Sequence, residues 1–381
     1  MRRIATALLT ATLAASGMQA WGVEKPEPQP FGLDAYWIYQ SDRSSYPDWI
    51  YDQVIGEFKD LKANHPEVMQ SNLDQVVKIN NNADADTIAR AQQDAATDTE
   101  GVLGHFADAF GSELGQQFRD ALAEGRLPKT TMMFDGVTAR AGGLANSTFI
   151  EKEIFANERP YIEHPDQIKR YDVPGKDIYP TSKSFPSGHT NQATWTTTLL
   201  AVLLPEAAPQ LLERGSAAGY HRMVLGVHYP LDVIGGRMTG IAAAADRWND
   251  QRMRANLEAV GQEIRAELEW RCGASLSECM ARQAEDPQAA VERYTERLNY
   301  DFDPVNSLDA PMVVPPQAPD LLLGAFPELS YEQRASILAQ TAGPAGMPLD
   351  NSSASWERIN LAKAMTANVR TEADGSVTVV N

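Results

Sequence analysis

Three short segments carry side chains suited to gripping and cleaving a charged ester. Lys152 is followed seven residues on by Arg159-Pro160. Pro186-Ser187-Gly188-His189 comes next, and the third segment holds Arg222, then His228 six residues later and Asp232 four beyond that. Phosphoryl transfer needs charge neutralisation, a nucleophile aligned with the leaving group, and a proton for the departing oxygen. Lys152, Arg159 and Arg222 supply cations for three non-bridging oxygens, and each arginine offers a two-pronged fork. Gly188 lets the backbone approach a ligand closely, and N–H groups at a helix start suit an oxyanion, with the Ser187 hydroxyl as a further hydrogen-bonding group. Two imidazoles and a carboxylate remain for the nucleophile and the protons. Taken singly, each basic residue reads as a solvated charge, each histidine as structural and the tetrapeptide as a turn and cap; their joint spacing carries the argument.

These segments need rigid elements to hold them, and the surrounding sequence predicts helices. Thr190 to Leu204 has good helical length and stops at Pro205. Pro209 to Leu225 is helix-compatible with a break expected at Gly215 or Gly219, and Pro230 suits the first turn of a helix running to Trp248. Helix continues from Arg252 to Arg271. Upstream, Trp49 to Leu61 and Thr99 to Leu122 read as helices, the second with Leu103, Phe106, Phe110, Leu114 and Phe118 as one buried stripe. Asn80-Asn81-Asn82 and the Asp-Ala alternation after it read as an exposed loop or a polar helix start. Downstream, Asp303 to Pro319 carries five prolines and reads as an extended connection. Ser330-Tyr331-Glu332-Gln333 matches a capping box opening a helix to Ala342, Trp356 to Met365 suggests another, and Val369 to Val380 fits one hairpin around Asp374-Gly375. The fold class is all-α, a helical bundle with a helical or irregular C-terminal extension. We divide the chain into a leader at 1–20, an N-terminal helical region at 21–130 packing on the core, a catalytic core at 131–271 and an extension at 272–381.

The first residues read as an export signal: Arg2 and Arg3 precede a short apolar run from Ile4 to Ala15, and Met18-Gln19-Ala20 suits cleavage. The expected location is periplasmic or secreted, after cleavage near Ala20. No later run approaches the length of a membrane span. The formal charge is −18, and removing Arg2 and Arg3 takes it to −20, a balance that repels nucleic acid and anionic membranes. An anion site must therefore gather its cations locally. The two cysteines, Cys272 and Cys279, have no histidine close by in sequence to complete a metal site, and in an oxidising compartment they read as a disulfide. His65, His105 and His164 lack metal-ligand spacing. Glu163, His164, Lys169, Arg170 and Lys183 fall between the first two segments, where substrate loops are expected, without a specific role.

The ordered set Lys152…Arg159-Pro160, Pro186-Ser187-Gly188-His189 and Arg222…His228…Asp232 resembles the signature of the type 2 phosphatidic-acid-phosphatase superfamily, and in particular its soluble bacterial class A acid phosphatases. The resemblance covers about 80 residues, from Lys152 to Asp232. It implies that His228 attacks phosphorus, that Asp232 holds the other ring nitrogen, and that His189 protonates the leaving alcohol and later activates water. It implies phosphate binding by Lys152, Arg159, Ser187, Gly188 and Arg222, with no metal and no cofactor. Small phosphorylated molecules are the expected partners, without nucleic acid or integral membrane association. With His189 protonated and His228 neutral in the free protein, a bell-shaped pH profile on the acidic to neutral side follows. One residue departs from the class A pattern: His221 stands before Arg222 where serine is usual. Vanadium haloperoxidases share the signature and would hold vanadate on His228, which leaves a halide-oxidising alternative. A third reading is a phosphate- or phospholipid-binding protein without turnover.

Overall fold

The computed structural model describes residues 24–36, 53–96, 101–135, 140–142, 148–173, 175 and 182–380. The proposed leader at 1–20 and the first four residues of the Trp49–Leu61 segment lie outside the described residues, and the end of that segment is helical. Within them the fold is all-α, with one antiparallel pair of strands, β1 (Asn368–Thr371) and β2 (Val377–Val380), in the register Asn368 to Val380. The helices before the first motif are α1 (Phe58–Asn64), α2 (Pro66–Asn82), α3 (Ala85–Ala95), α4 (Gly101–Phe106), α5 (Ser112–Ala123) and α6 (Pro128–Phe134). The motif region holds α7 (Phe149–Phe155), α8 (Pro160–Glu163), α9 (Gly188–Leu203), α10 (Ala208–Val224) and α11 (Pro230–Asn249). After it come α12 (Gln251–Cys272), α13 (Leu276–Gln283), α14 (Pro287–Glu296), α15 (Tyr331–Gln340) and α16 (Leu361–Met365).

Helices α9, α10 and α11 form the centre, α9 packing on both of the others. From Pro230 to Trp248, α11 is buried on every face, as befits the axis of a bundle. Its glycines permit this closeness: a Cβ on Gly236 would lie 2.6 Å from the Ser187 carbonyl oxygen, and one on Gly240 2.6 Å from Thr194 Cβ. α9 begins where the Ser187 side chain accepts the Thr190 N–H, and it ends before Pro205, which opens a short 3-10 turn. One continuous apolar core runs from Val54 to Val377, so the extension beyond Cys272 packs on the same core as the bundle. Cys272 and Cys279 form a disulfide where α12 gives way to α13.

Several expectations are corrected. The helix expected from Pro209 to Leu225 is unbroken at Gly215 and Gly219. These glycines instead admit α9, since a Cβ on Gly215 would meet Thr197 Oγ1 at 2.2 Å. The Thr99–Leu122 stripe is not one helix: α4 passes into a 3-10 turn at Ala107–Phe110 and stops at Gly111, whose φ of 90° suits glycine. Asn80 is no exposed loop residue. It is buried near the end of α2 and donates to the carbonyls of Lys169 and Val224, both at 2.8 Å, while accepting from the Lys169 N–H. The capping box at Ser330 opens α15, and Trp356 to Met365 divides into a 3-10 turn and α16.

Candidate active site

Each of the three sequence segments is delivered by an element of the bundle centre or its flank. Lys152 stands on α7, Arg159 caps α8, Ser187, Gly188 and His189 open α9, Arg222 ends α10, and His228 and Asp232 straddle the start of α11. The Ser187 N–H donates to the Asp232 carbonyl oxygen at 2.9 Å, which locks the second segment onto the third. The first is tied to the second by Asn157 and Ser184: the Ser184 N–H donates to the Asn157 carbonyl at 2.7 Å, and Asn157 Nδ2 to Ser184 Oγ at 3.0 Å.

The three cations are buried, and two of them are held in large part by neutral acceptors. Lys152 Nζ donates to the carbonyls of Lys183 at 2.6 Å and Ser184 at 3.0 Å. Arg159 Nε donates to the Ser182 carbonyl at 2.8 Å, its Nη2 to Ser182 Oγ at 2.8 Å, and its Nη1 to the Val227 carbonyl at 2.8 Å. Carbonyl dipoles orient these groups without cancelling their charge, so positive potential gathers here in a strongly acidic chain. Arg222 Nε donates to the Ala218 carbonyl one turn back at 3.2 Å.

His228 is gripped at both ring nitrogens. Nδ1 lies 3.2 Å from Asp232 Oδ2, and Nε2 lies 3.1 Å from Arg159 Nη1. A guanidinium can only donate, so Nε2 must present its lone pair, and the ring proton sits on Nδ1 facing the carboxylate. Burial first, then the charges of Arg159 and Lys152, holds His228 well below the usual imidazole range, so it stays neutral. Asp232 Oδ2 also accepts the Tyr229 N–H at 2.8 Å, and its Oδ1 the Ser184 hydroxyl at 3.4 Å. Burial pushes Asp232 up and Lys152 down, while each one's charge opposes the other's shift.

His189 is half-buried, and burial followed by Arg222, Arg159 and Lys152 brings it down to about 3. These surroundings disfavour the proton that the sequence reading gives His189 in the free protein. An anion bound among those three cations would offset their charges and favour the proton on His189.

The residues that sequence reasoning missed are mostly the supports. Ser182, Lys183 and Ser184 act through backbone carbonyls that any residue type presents, so no side-chain signal marks them. Asp94, on α3, lies far upstream. It accepts His221 Nδ1 at 2.6 Å and is paired with Arg214, which also donates to Asp108 at 2.9 Å. The departure at His221 was the one available signal, because a buried histidine calls for a partner. Of the unassigned residues, Glu163 accepts the Tyr229 hydroxyl at 2.8 Å, Lys183 pairs with Glu158 at 2.5 Å and Arg170 with Asp172 at 2.6 Å. Lys169 meets Asn80 through its backbone, and the His164 ring stands edge-on to Tyr229. Among the described residues, no three His, Cys, Asp or Glu side chains gather as a metal site, and no helix is long and apolar enough to cross a membrane.

Residues 133–255, which contain all three segments, match the family model described as the PAP2 superfamily. Over 175 residues the chain is 25% identical to a non-specific acid phosphatase of Providencia stuartii, covering 46% of this chain and 66% of that protein. A non-specific acid phosphatase of Salmonella typhimurium is 24% identical over 175 residues, covering 46% and 65%. The chain thus spans just under two thirds of the length of these relatives. Over 135 residues it is 32% identical to the decaprenylphosphoryl-5-phosphoribose phosphatase of Mycolicibacterium smegmatis, covering 35% of this chain and 68% of that one. With that coverage, and with the signature residues brought together on one bundle, the chain belongs to the PAP2 superfamily.

Proposed function

We propose that this protein is a metal-independent phosphomonoesterase that works through a phosphohistidine. The observation that carries the reading is the double grip on His228: a lone pair fixed on Nε2 beside Arg159, and a proton held on Nδ1 by Asp232. In the first step the Nε2–P bond forms and the P–O bond to the leaving group breaks. The alkoxide takes its proton from His189, and the ring of His228 becomes cationic against Asp232. In the second step a water gives a proton to His189 while its oxygen bonds phosphorus and the N–P bond breaks, leaving inorganic phosphate. Lys152, Arg159 and Arg222, with the N–H groups opening α9, hold the equatorial oxygens throughout. This cationic cage does the charge neutralisation that a metal would otherwise do. Small phosphorylated molecules are the proposed substrates, a reading supported by relatives named as phosphatases. The Arg2-Arg3 and Ile4–Ala15 leader supports export, which N-terminal sequencing of the mature protein would check.

The test is hydrolysis of an aryl phosphate in EDTA by the parent, His189→Ala and His228→Ala proteins. Activity that survives EDTA, is blocked by vanadate and is lost in folded His228→Ala is the expected result. A fully active His228→Ala protein would remove the nucleophile assignment. An inactive parent that oxidises bromide with vanadate and peroxide would replace the phosphatase reading with the haloperoxidase one. Phosphate binding without either activity would leave a binding protein.

A further inference from the structure

Arg237, on α11 one turn beyond Val233, is only 5% exposed. Its Nη2 donates to the carbonyls of Leu298 at 2.8 Å and Glu357 at 3.0 Å, while Nε and Nη1 meet no acceptor at hydrogen-bonding distance among the described residues. No described carboxylate forms an ion pair with it. Burial pushes the nearby Glu357 carboxyl up to about 8 against the lowering effect of the Arg237 charge, which disfavours a full negative charge beside the arginine. A guanidinium does not shed its own proton, so the charge persists.

Arg237 lines a small cavity between α9, α10, α11 and α14 whose described lining includes no carboxylate. Its other polar lining includes Thr194, Thr198, Ser216, Tyr294 and Tyr300. Among the described residues the Thr198 hydroxyl is buried there without a hydrogen-bond partner, and the Tyr294 hydroxyl faces Arg237, whose charge and N–H groups oppose the upward push of burial on it. Arg297 borders the same space, its charge taken up by Glu213 at 2.8 Å. Hydroxyls rotate to donate, so the walls offer donors and one guanidinium that makes no ion pair with a described carboxylate. Water would satisfy the N–H groups but not the charge. The space suits a body about the size of one water and not a phosphate ester.

We propose that this cavity binds a monatomic, halide-sized anion, held by Arg237 Nε and Nη1 with the hydroxyls of Thr198 and Tyr294. Thr190 and Val233 also border the cavity. Thr190 donates to Ser187 Oγ at 2.8 Å, and Val233 follows Asp232, so the anion braces the α9–α11 packing that aligns the second and third motifs.

The test is thermal unfolding of the full chain in sodium chloride against sodium gluconate at matched ionic strength, since gluconate is too large to enter. The expected result is a saturable chloride-specific rise in Tm of about 2 °C or more. Tyr294→Phe should weaken the chloride dependence, and Arg237→Met should abolish it. If Arg237→Met fails to fold, Tyr294→Phe and a bromide-soaked crystal of the parent decide. An anomalous peak within hydrogen-bond distance of Arg237 Nε supports the site. A Tm that responds equally to both salts, or bromide-soaked crystals without that peak, overturns the proposal and leaves water as the occupant.

Discussion

The substitution Asp232→Asn separates charge from geometry at the candidate nucleophile. Oδ2 of Asp232 receives the Tyr229 N–H at 2.8 Å and faces His228 Nδ1 at 3.2 Å, while Oδ1 receives the Ser184 hydroxyl at 3.4 Å. An amide with its oxygen in the Oδ2 place keeps the first two contacts, and its NH2 can donate to Ser184 Oγ, which also accepts. The fold and the His228 tautomer should therefore survive. What disappears is the negative charge beside a ring that turns cationic as the Nε2–P bond forms. A hydrogen bond to a charged group contributes about 1.5–3 kcal/mol, and a unit charge pair at 4 Å about 4 kcal/mol at an effective dielectric of 20. A loss of about 2–4 kcal/mol corresponds to a fall in kcat of roughly 30- to 900-fold. KM should stay level or drop, because deleting a negative charge near Lys152 and Arg159 strengthens their hold on an anion. Steady-state hydrolysis of an aryl phosphate measures both parameters, and rapid quench measures the phosphoenzyme. A folded variant with kcat within threefold of the parent would refute the role given to Asp232.

Other perturbations test the supports. Because His189 and His228 are both held neutral when folded, the unfolded chain binds more protons below its ordinary imidazole pKa. Their contribution to stability is therefore full above about pH 6.5 and declines as the pH falls toward the folded values, near 3 for His189. His189→Gln should flatten the fall in Tm between neutral and acidic pH; an unchanged slope would contradict the cationic surroundings described for His189. Gly236→Ala would place a methyl 2.6 Å from the Ser187 carbonyl and 2.9 Å from Thr190 Cβ. We expect a destabilisation of about 1–3 kcal/mol in a urea titration, with kcat/KM lowered at least about tenfold because the second and third motifs are forced apart. Asp94→Asn would strip a buried charge from Arg214 and His221, for a predicted loss of about 3–5 kcal/mol read from the same titration. A parent-like urea midpoint would show that this network does not hold α3 to α10.

The proposed reacting groups were legible in the sequence because the chemistry proposed for them depends on side-chain type. Only an imidazole can be the proposed nucleophile, only fixed cations can cage the oxygens, and the i, i+4 spacing of His228 and Asp232 survives folding as a contact at a helix start. Helix identity was legible for the same local reason, in the proline at the head of α11 and the serine caps of α9 and α15. Glycine misled, because its two uses look alike in one dimension. Gly111 does end a helical run, whereas Gly215 and Gly219 let α9 approach an unbroken α10, and only the neighbouring helix distinguishes them. Asn80 misled for a related reason: a polar run signals exposure unless distant carbonyls, here those of Lys169 and Val224, come to meet it. The deeper gap concerns what aims the cations. Lys152 and Arg159 are held by carbonyls from Ser182 to Ser184 and Val227, groups that every residue carries, so their arrangement is written in the path of the backbone. Such holding has a functional consequence. A carboxylate would orient the same cations and also neutralise them, whereas carbonyls orient them and leave their charge for the substrate.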